Sequence, residues 1–319
     1  MAALSDQLLV VAMLGYLVAM ICYAAVYAFG DKGVVARVAT RELVGAGGPP
    51  MASPVVSPVE SSAPGPGRAV WAGRAATAVT VVAALAQIGS LVSRGIAADR
   101  LPWGNMYEYV LAATSVGAVA WLAVLVRRPA LRHLGLYVAL TMVVLLGVAG
   151  LLLYVPVGPL VPALDSYWLA IHVTAVAISS GIFLLGFVPA ALFLIRDGFD
   201  RGRRGFPFSL GQRLPAAGVL ERLSFRLHAF AFPIWTFGAL IAGPIWAEAA
   251  WGRYWGWDPK EVWAFISWIV YAGYLHARAT PSVKKTTATW IAVLGFLTML
   301  MNLFGVNLFF TGLHSYGGV

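Results

Sequence analysis

A stretch with an unusual density of aromatic side chains runs from Trp251 to Trp263 and reads Trp-Gly-Arg-Tyr-Trp-Gly-Trp-Asp-Pro-Lys-Glu-Val-Trp. Trp and Tyr combine a large flat apolar body with a polar tip, so they gather at membrane interfaces and around planar hydrophobic ligands. Gly252 and Gly256 leave gaps in which a ring can approach the backbone. The Trp-rich stretch therefore predicts an interface or a site for a flat apolar ligand.

The chain also carries five histidines, whose ring nitrogens are common metal ligands. Its single cysteine, Cys22, lies in the first apolar run, so the chain alone can build neither an intrachain disulfide nor a thiolate metal cluster. Any thiol chemistry must come from a partner, and no metal site besides a histidine-ligated one is expected.

The elements that position these residues are membrane helices, because 60% of the 319 residues are hydrophobic and only 11% are charged. The net charge of +9 does not indicate nucleic acid, since Lys and Arg in membrane proteins mark the cytoplasmic loops. The sequence predicts an all-α polytopic protein with about eight transmembrane helices. The apolar runs lie near 8–29, 75–93, 109–126, 134–154, 169–195, 229–248, 262–279 and 287–310.

These runs divide the chain into three parts. Residues 1–30 form a first transmembrane helix that is retained, because no cleavage pattern follows it. Residues 31–74 are predicted to be a cytoplasmic linker, partly disordered, since 45–67 is rich in Pro, Ser, Gly and Val. Residues 75–319 form a seven-helix core with the external segment 248–263.

Orientation follows from the basic residues in the loops. All but four of the 22 Lys and Arg residues fall on one side of the predicted helices, and that side is cytoplasmic by the positive-inside rule. The four on the other side are Arg94, Arg100, Arg253 and Lys260. Both termini and the Trp-rich stretch are therefore expected on the outer side.

This topology separates the histidines. His172, at the outer start of the fifth run, and His314, after the last run, lie at the depth of the Trp-rich stretch. Two imidazoles beside an aromatic floor are typical of a bis-histidine haem site. The same pattern also fits two unrelated interfacial histidines, and topology alone leaves both interpretations open.

The other three histidines are different. His133 and His228 fall on the cytoplasmic side beside arginines and are expected to be solvated interfacial residues. His276 lies near the inner end of the run 262–279, and an ionisable group within a membrane helix is a functional candidate.

Charged residues of the Trp-rich stretch have two predicted roles. Asp258 and Glu261 have the spacing of a helix N-cap with its capping box, so they are expected to be structural. Arg253 and Lys260 can pair with haem propionates or with lipid phosphate.

Several motifs together resemble one family. The pattern Trp-Gly-x-Tyr-Trp-x-Trp-Asp-x-x-Glu-x-Trp over 251–263 resembles the WWD signature of haem-handling proteins of cytochrome c maturation. Three further segments are similar to the CcsA (ResC) family of the system II cytochrome c synthase, and together the motifs cover about the last two-thirds of the chain. These segments are 102–108 (Pro-Trp-Gly-Asn-Met-Tyr-Glu), 166–173 (Ser-Tyr-Trp-Leu-Ala-Ile-His-Val) and 271–278 (Tyr-Ala-Gly-Tyr-Leu-His-Ala-Arg).

The resemblance implies a function for each motif. His172 and His314 match the external haem ligands, and His276 matches the transmembrane haem ligand, whose second ligand comes from the CcsB (ResB) partner subunit. Haem b would be exported, held against the aromatic bed and presented to the Cys-x-x-Cys-His motif of apocytochrome c. The chain would act as part of a holocytochrome c synthase complex in the bacterial plasma membrane, with its site on the extracytoplasmic face. The implied bed consists of Trp251, Tyr254, Trp255, Trp257 and Trp263.

Two other functions remain as alternatives. A cytochrome b-like electron carrier would need pairs of histidines on facing helices, and only His276 is expected inside the membrane. A small-solute transporter with a Trp-rich vestibule is the other alternative, although the sequence shows no convincing internal repeat.

Overall fold

The computed structural model describes residues 1–29, 67–159, 164 and 166–314, and within these ranges the chain is helical and contains no strand. The backbone of a membrane segment must satisfy its own hydrogen bonds, so long apolar runs fold as helices. The helices are α1 (Ala2–Phe29), α2 (Arg68–Ala98), α3 (Met106–Arg127), α4 (Gly135–Leu152), α5 (Tyr167–Asp200), α6 (Ala217–Phe237), α7 (Gly243–Trp251), α8 (Pro259–Ala279), α9 (Lys285–Leu300) and α10 (Val306–Phe309).

Seven helical segments of the described chain are long and apolar enough to cross a membrane. Two of them contain a π-helical turn: Gly238–Ala242 joins α6 to α7, and Met301–Gly305 joins α9 to α10. The predicted run 262–279, which is not among these seven segments, corresponds to α8, and α8 is less apolar because it carries Trp, Tyr and His side chains. Its ends nevertheless contact opposite ends of the bundle, Asp258 touching His314 and Arg278 touching Glu221, so α8 runs the length of its neighbours.

The predicted linker is only partly covered by the described residues. Residues 31–66 lie outside them, so the expected disorder of 45–67 stays a prediction. The prediction that residues 68–74 are part of the linker is wrong, because they belong to α2, whose first turns include Val70 and Trp71. Apolar side chains between Arg68 and Arg74 extend the helix beyond the strictly apolar run.

Helix packing brings the parts of the candidate site together. The α1 helix packs on α2 and α4, and α5 packs on α3 and α6, while α8 packs on α9. Aromatic rings fill the centre: Phe183 of α5 stacks on Tyr271 of α8 at 4.0 Å between ring centroids. At Gly238, an added Cβ would lie 3.0 Å from the Ala175 Cβ, so glycine lets α5 and the π turn approach closely.

Candidate functional site

A cavity opens at the end of the bundle where the Trp-rich stretch and the C-terminal segment meet. Its volume is about 190 Å³, and it reaches from Trp251 down to Ser180 and Trp235. Its walls are mostly aromatic or aliphatic, with a few polar groups, as is typical of ligand sites. The chemistry-bearing residues that line it are Trp103, Asn105, Tyr109, His172, Ser180, Trp235, Trp246, Trp251, Trp255, Lys260, Glu261, Asn302 and His314.

His172 lies in the second turn of α5, which begins after the N-cap Ser166. Its Nδ1 atom is 2.8 Å from the carbonyl oxygen of Gly238. A carbonyl can only accept, so Nδ1 carries the proton and donates, and the Nε2 atom keeps the lone pair that a metal requires. Gly238 begins the π turn, where backbone bonding reaches one residue further along the helix.

His314 follows the last helix and is held in a similar way. Its Nδ1 atom donates to the Oδ2 atom of Asp258 at 2.8 Å, which again leaves Nε2 with the lone pair. Burial of the Asp258 carboxyl raises its pKa, but hydrogen bonds from His314 and from the Leu313 amide outweigh burial, so the pKa lies below its usual range. Asp258 therefore stays ionised beside the imidazole.

Trp246 connects the two histidines. Its ring is stacked on that of His172, with centroids 5.8 Å apart and planes 10° apart. The same ring meets His314 edge to face at 5.7 Å, and Trp251 contacts His314 at 5.0 Å. The two imidazoles thus share one aromatic neighbour and one cavity. Trp246 was not among the predicted bed residues, although its position just before the Trp-rich stretch is a signal that could have identified it.

Only part of the predicted aromatic bed faces the cavity. Trp251 and Trp255 line it, whereas Tyr254, Trp257 and Trp263 do not. Tyr254 is 63% exposed and Trp257 is 65% exposed. Trp257 has a φ of 56°, a left-handed backbone conformation that is uncommon outside glycine, and its ring lies edge-on to those of Trp255 and Phe265.

The charged residues of the stretch also differ in position. Asp258 and Glu261 form a capping box at the start of α8, and Glu261 also accepts a hydrogen bond from the Gly256 amide at 2.8 Å. Lys260 lines the cavity. Arg253 is exposed and does not line it, and its guanidinium packs close to Gly256.

A buried ion-pair cluster around Glu108 supports the wall of the cavity that contains Trp103 and Gly104. Glu108 is fully buried and accepts from Arg94 at 2.7 Å, from Arg100 at 2.8 Å and from the Gly104 amide at 2.7 Å. The loop that it anchors includes Trp103 and Gly104, which line the cavity. Two of the four basic residues on this side are therefore internal partners of Glu108 rather than loop charges facing solvent.

The remaining histidines lie away from the cavity. His276 is exposed on α8, near the end where Arg278 pairs with Glu221. His133 is half-buried, and its Nδ1 atom is 3.1 Å from the Ala130 carbonyl oxygen.

The prediction that His228 is a solvated interfacial residue is wrong. It is fully buried, and its Nδ1 atom donates to the Ser224 carbonyl at 2.8 Å. Its ring packs against Tyr271 and Tyr274 of α8. The neighbouring Arg226 is misleading, because residues two apart on a helix point to nearly opposite faces.

Comparison with known proteins assigns the chain to a family. Residues 103–314, more than half of the chain, match the model of the family described as cytochrome C assembly protein. The cytochrome c biogenesis protein CcsA of Gloeobacter violaceus is 33% identical over 296 residues, covering 76% of this chain and 86% of that protein. CcsA of Synechocystis is 33% identical over 303 residues, covering 77% and 89%.

One relative has a higher sequence identity over a shorter stretch of the chain. CcsA of Chlamydomonas reinhardtii is 42% identical over 160 residues, which cover 50% of this chain and 43% of that protein. The expected resemblance and the expected all-helical architecture are both confirmed. The chain is a multi-pass membrane protein that belongs to the CcsA family of cytochrome c biogenesis proteins.

Proposed function

We propose that this chain binds haem b in the cavity, with His172 and His314 as the two iron ligands, and presents it for attachment to apocytochrome c. One observation carries the proposal: both imidazoles border the same cavity, and each donates from Nδ1 to a fixed acceptor. This arrangement orients Nε2 as the metal-binding atom, as is usual for metal-ligating histidines. The donor set therefore fits a planar iron macrocycle.

The aromatic walls support the same assignment. Trp246, Trp251 and Trp255 supply flat apolar surfaces, and the rings of Trp246 and Trp251 contact His314. The planar macrocycle of haem stacks well on aromatic faces such as these. The exposed Tyr254 and Trp257 are then outer members of the bed, placed where an incoming polypeptide would meet them.

The chemistry of attachment depends mainly on positioning. Haem supplies two vinyl groups, and the Cys-x-x-Cys-His segment of the substrate supplies the thiols, which fits a chain whose single cysteine is Cys22 of α1. The aromatic walls would hold the haem ring in one orientation while the thiols of the apocytochrome approach its vinyl groups. Orientation alone can contribute several orders of magnitude to such a reaction.

A propionate contact is proposed for Lys260. Its side chain lines the cavity, whereas Arg253 lies outside it, so the two predicted basic contacts are not equivalent. We expect Lys260→Gln to weaken haem binding about tenfold, the effect of losing one charge-assisted hydrogen bond of about 1.4 kcal/mol. Arg253→Gln is the matched control and is expected to change binding less than twofold. Titration of both purified variants with haem measures this, and equal affinities would contradict the assignment.

His276 is proposed as a ligand for a second, transmembrane haem. It is exposed on α8, so a neighbouring chain can reach it, and we assign the other iron ligand to a CcsB-like membrane subunit. In the co-purified complex, His276→Ala is expected to remove one component of the haem absorption spectrum and leave the component that depends on His314. A spectrum without any loss would show that His276 binds no haem.

This function places the cavity on the extracytoplasmic face of a bacterial plasma membrane, with haem exported from the inner side. The direct test is a haem stain and an absorption spectrum of the purified chain. Bound low-spin haem supports the proposal and rules against a small-solute transporter. If the purified chain carries haem but cells that lack the chain still assemble cytochrome c, a cytochrome b-like carrier is favoured instead.

A further inference from the structure

We propose that Asp258 is a positioning residue that holds His314 as an iron ligand, beyond its role in capping α8. The inference rests on the proposed function, since it assigns a task to Asp258 within the same site. In sequence Asp258 is the N-cap of a helix. In the structure it is also the link between that helix and the C-terminal segment.

The carboxylate of Asp258 accepts hydrogen bonds from the C-terminal segment as well as from the start of α8. Its Oδ1 atom accepts from the Leu313 amide at 2.6 Å, and its Oδ2 atom accepts from Nδ1 of His314 at 2.8 Å. The capping bond from the Lys260 amide to Oδ2 is longer, at 3.3 Å, and the capping box adds a bond from the Glu261 amide to the Asp258 side chain. The Asp258 carboxylate therefore serves residues 313 and 314 as well as the start of α8.

Glu261 shares the capping role. Its Oε2 atom accepts from the Asp258 amide at 3.0 Å and from the Gly256 amide at 2.8 Å. Because Glu261 holds the loop before α8, the start of the helix does not depend on Asp258 alone. This division leaves the carboxylate of Asp258, which is buried, available to His314.

The chemical effect on His314 has two parts. A carboxylate that accepts from Nδ1 fixes the tautomer with the lone pair on Nε2, and it makes the imidazole a stronger donor to the metal. It also fixes the ring direction, which matters because His314 lies beyond α10 and outside any helix. Loss of such an outer partner typically lowers metal affinity by 10–100-fold.

The test compares Asp258 variants in the wild-type protein and in His314→Ala protein supplied with imidazole. Asp258→Ala removes the carboxylate, and Asp258→Asn keeps an oxygen that can cap the helix but removes the charge. We expect Asp258→Ala to lower haem affinity about 10–100-fold and both variants to raise the midpoint potential. In His314→Ala protein supplied with imidazole, adding Asp258→Ala is expected to change neither quantity, because free imidazole does not need Asp258.

A cap control separates this effect from helix stability. Ser166→Ala removes the N-cap of α5, whose side chain accepts from the Trp168 amide, and it is expected to keep the wild-type spectrum and potential. The proposal would be overturned if Asp258→Ala lowered haem affinity equally in the wild-type protein and in His314→Ala protein supplied with imidazole. That result would show a general structural role for Asp258. Wild-type affinity and potential in both Asp258 variants would overturn it as well.

The two proposals fail in different ways. If His314→Ala changes the haem spectrum and Asp258→Ala does not, the role of Asp258 is overturned and the haem site stands. If the wild-type chain carries no haem whose spectrum depends on His314, the proposed function fails, and the role of Asp258 fails with it.

Discussion

Replacing either His172 or His314 by alanine is expected to abolish cytochrome c assembly and to reduce haem retention in the purified protein by more than about 100-fold. The physical reason is the loss of a direct iron ligand, which must exceed the 10–100-fold effect of losing an outer partner. Both residues border one cavity around Trp246, so each variant is expected to give the same spectral change. Absorption spectra and covalent haem staining of the substrate cytochrome measure the two effects.

Exogenous imidazole makes this prediction specific. It can fill the position vacated by a truncated histidine, so assembly is expected to recover in both variants. His133→Ala serves as the matched control, because His133 is half-buried and does not line the cavity. Normal cytochrome levels in His172→Ala and His314→Ala without imidazole would refute the bis-histidine site.

Glu108→Ala is expected to lower the free energy of unfolding by about 3–5 kcal/mol, the second-largest effect that the structure predicts. Glu108 is 0% exposed and Arg94 is 1% exposed, and removing the carboxylate would leave a buried guanidinium without its ion partner. The Arg94 side chain also lies over the Tyr107 ring at 4.7 Å and bonds the Val155 carbonyl, so it cannot simply turn to solvent. Denaturation in mixed micelles measures the loss.

Asp200→Ala provides the comparison for Glu108→Ala. Asp200 forms an exposed i,i+4 ion pair with Arg196 at 2.9 Å, and such pairs contribute less than about 1 kcal/mol. A difference between the two variants of several kcal/mol is therefore expected. Similar stabilities would mean that the Glu108 cluster does not anchor the loop at Trp103.

Much of the helical architecture could be predicted from sequence, because the bilayer requires long apolar helices. Each predicted run corresponds to a helical segment, and the predicted N-cap at Asp258 is present. The two π turns could not be predicted. Apart from Asn302 their residues are apolar like the rest of the run, and hydropathy does not distinguish a π-helical turn from an α-helical one.

The site was predictable in outline but not in its detailed orientation. Topology predicts His172 and His314 at one depth, and in the structure the rings of both histidines contact Trp246. The direction of each Trp ring depends on backbone dihedrals, and the positive φ of Trp257 has no sequence signal. The contact between Asp258 and His314 joins positions 56 residues apart in sequence, and local patterns do not report such distances.

The two proposed ligands are supported by different kinds of structure. His172 belongs to the 34-residue helix α5, and its Nδ1 atom donates to the backbone of a second long helical segment. His314 lies beyond α10 and outside any helix, and the Asp258 carboxylate accepts from its Nδ1 atom and from the Leu313 amide. A haem bound as we propose would therefore have one ligand oriented by a backbone carbonyl between two helical segments and the other oriented by a single side chain.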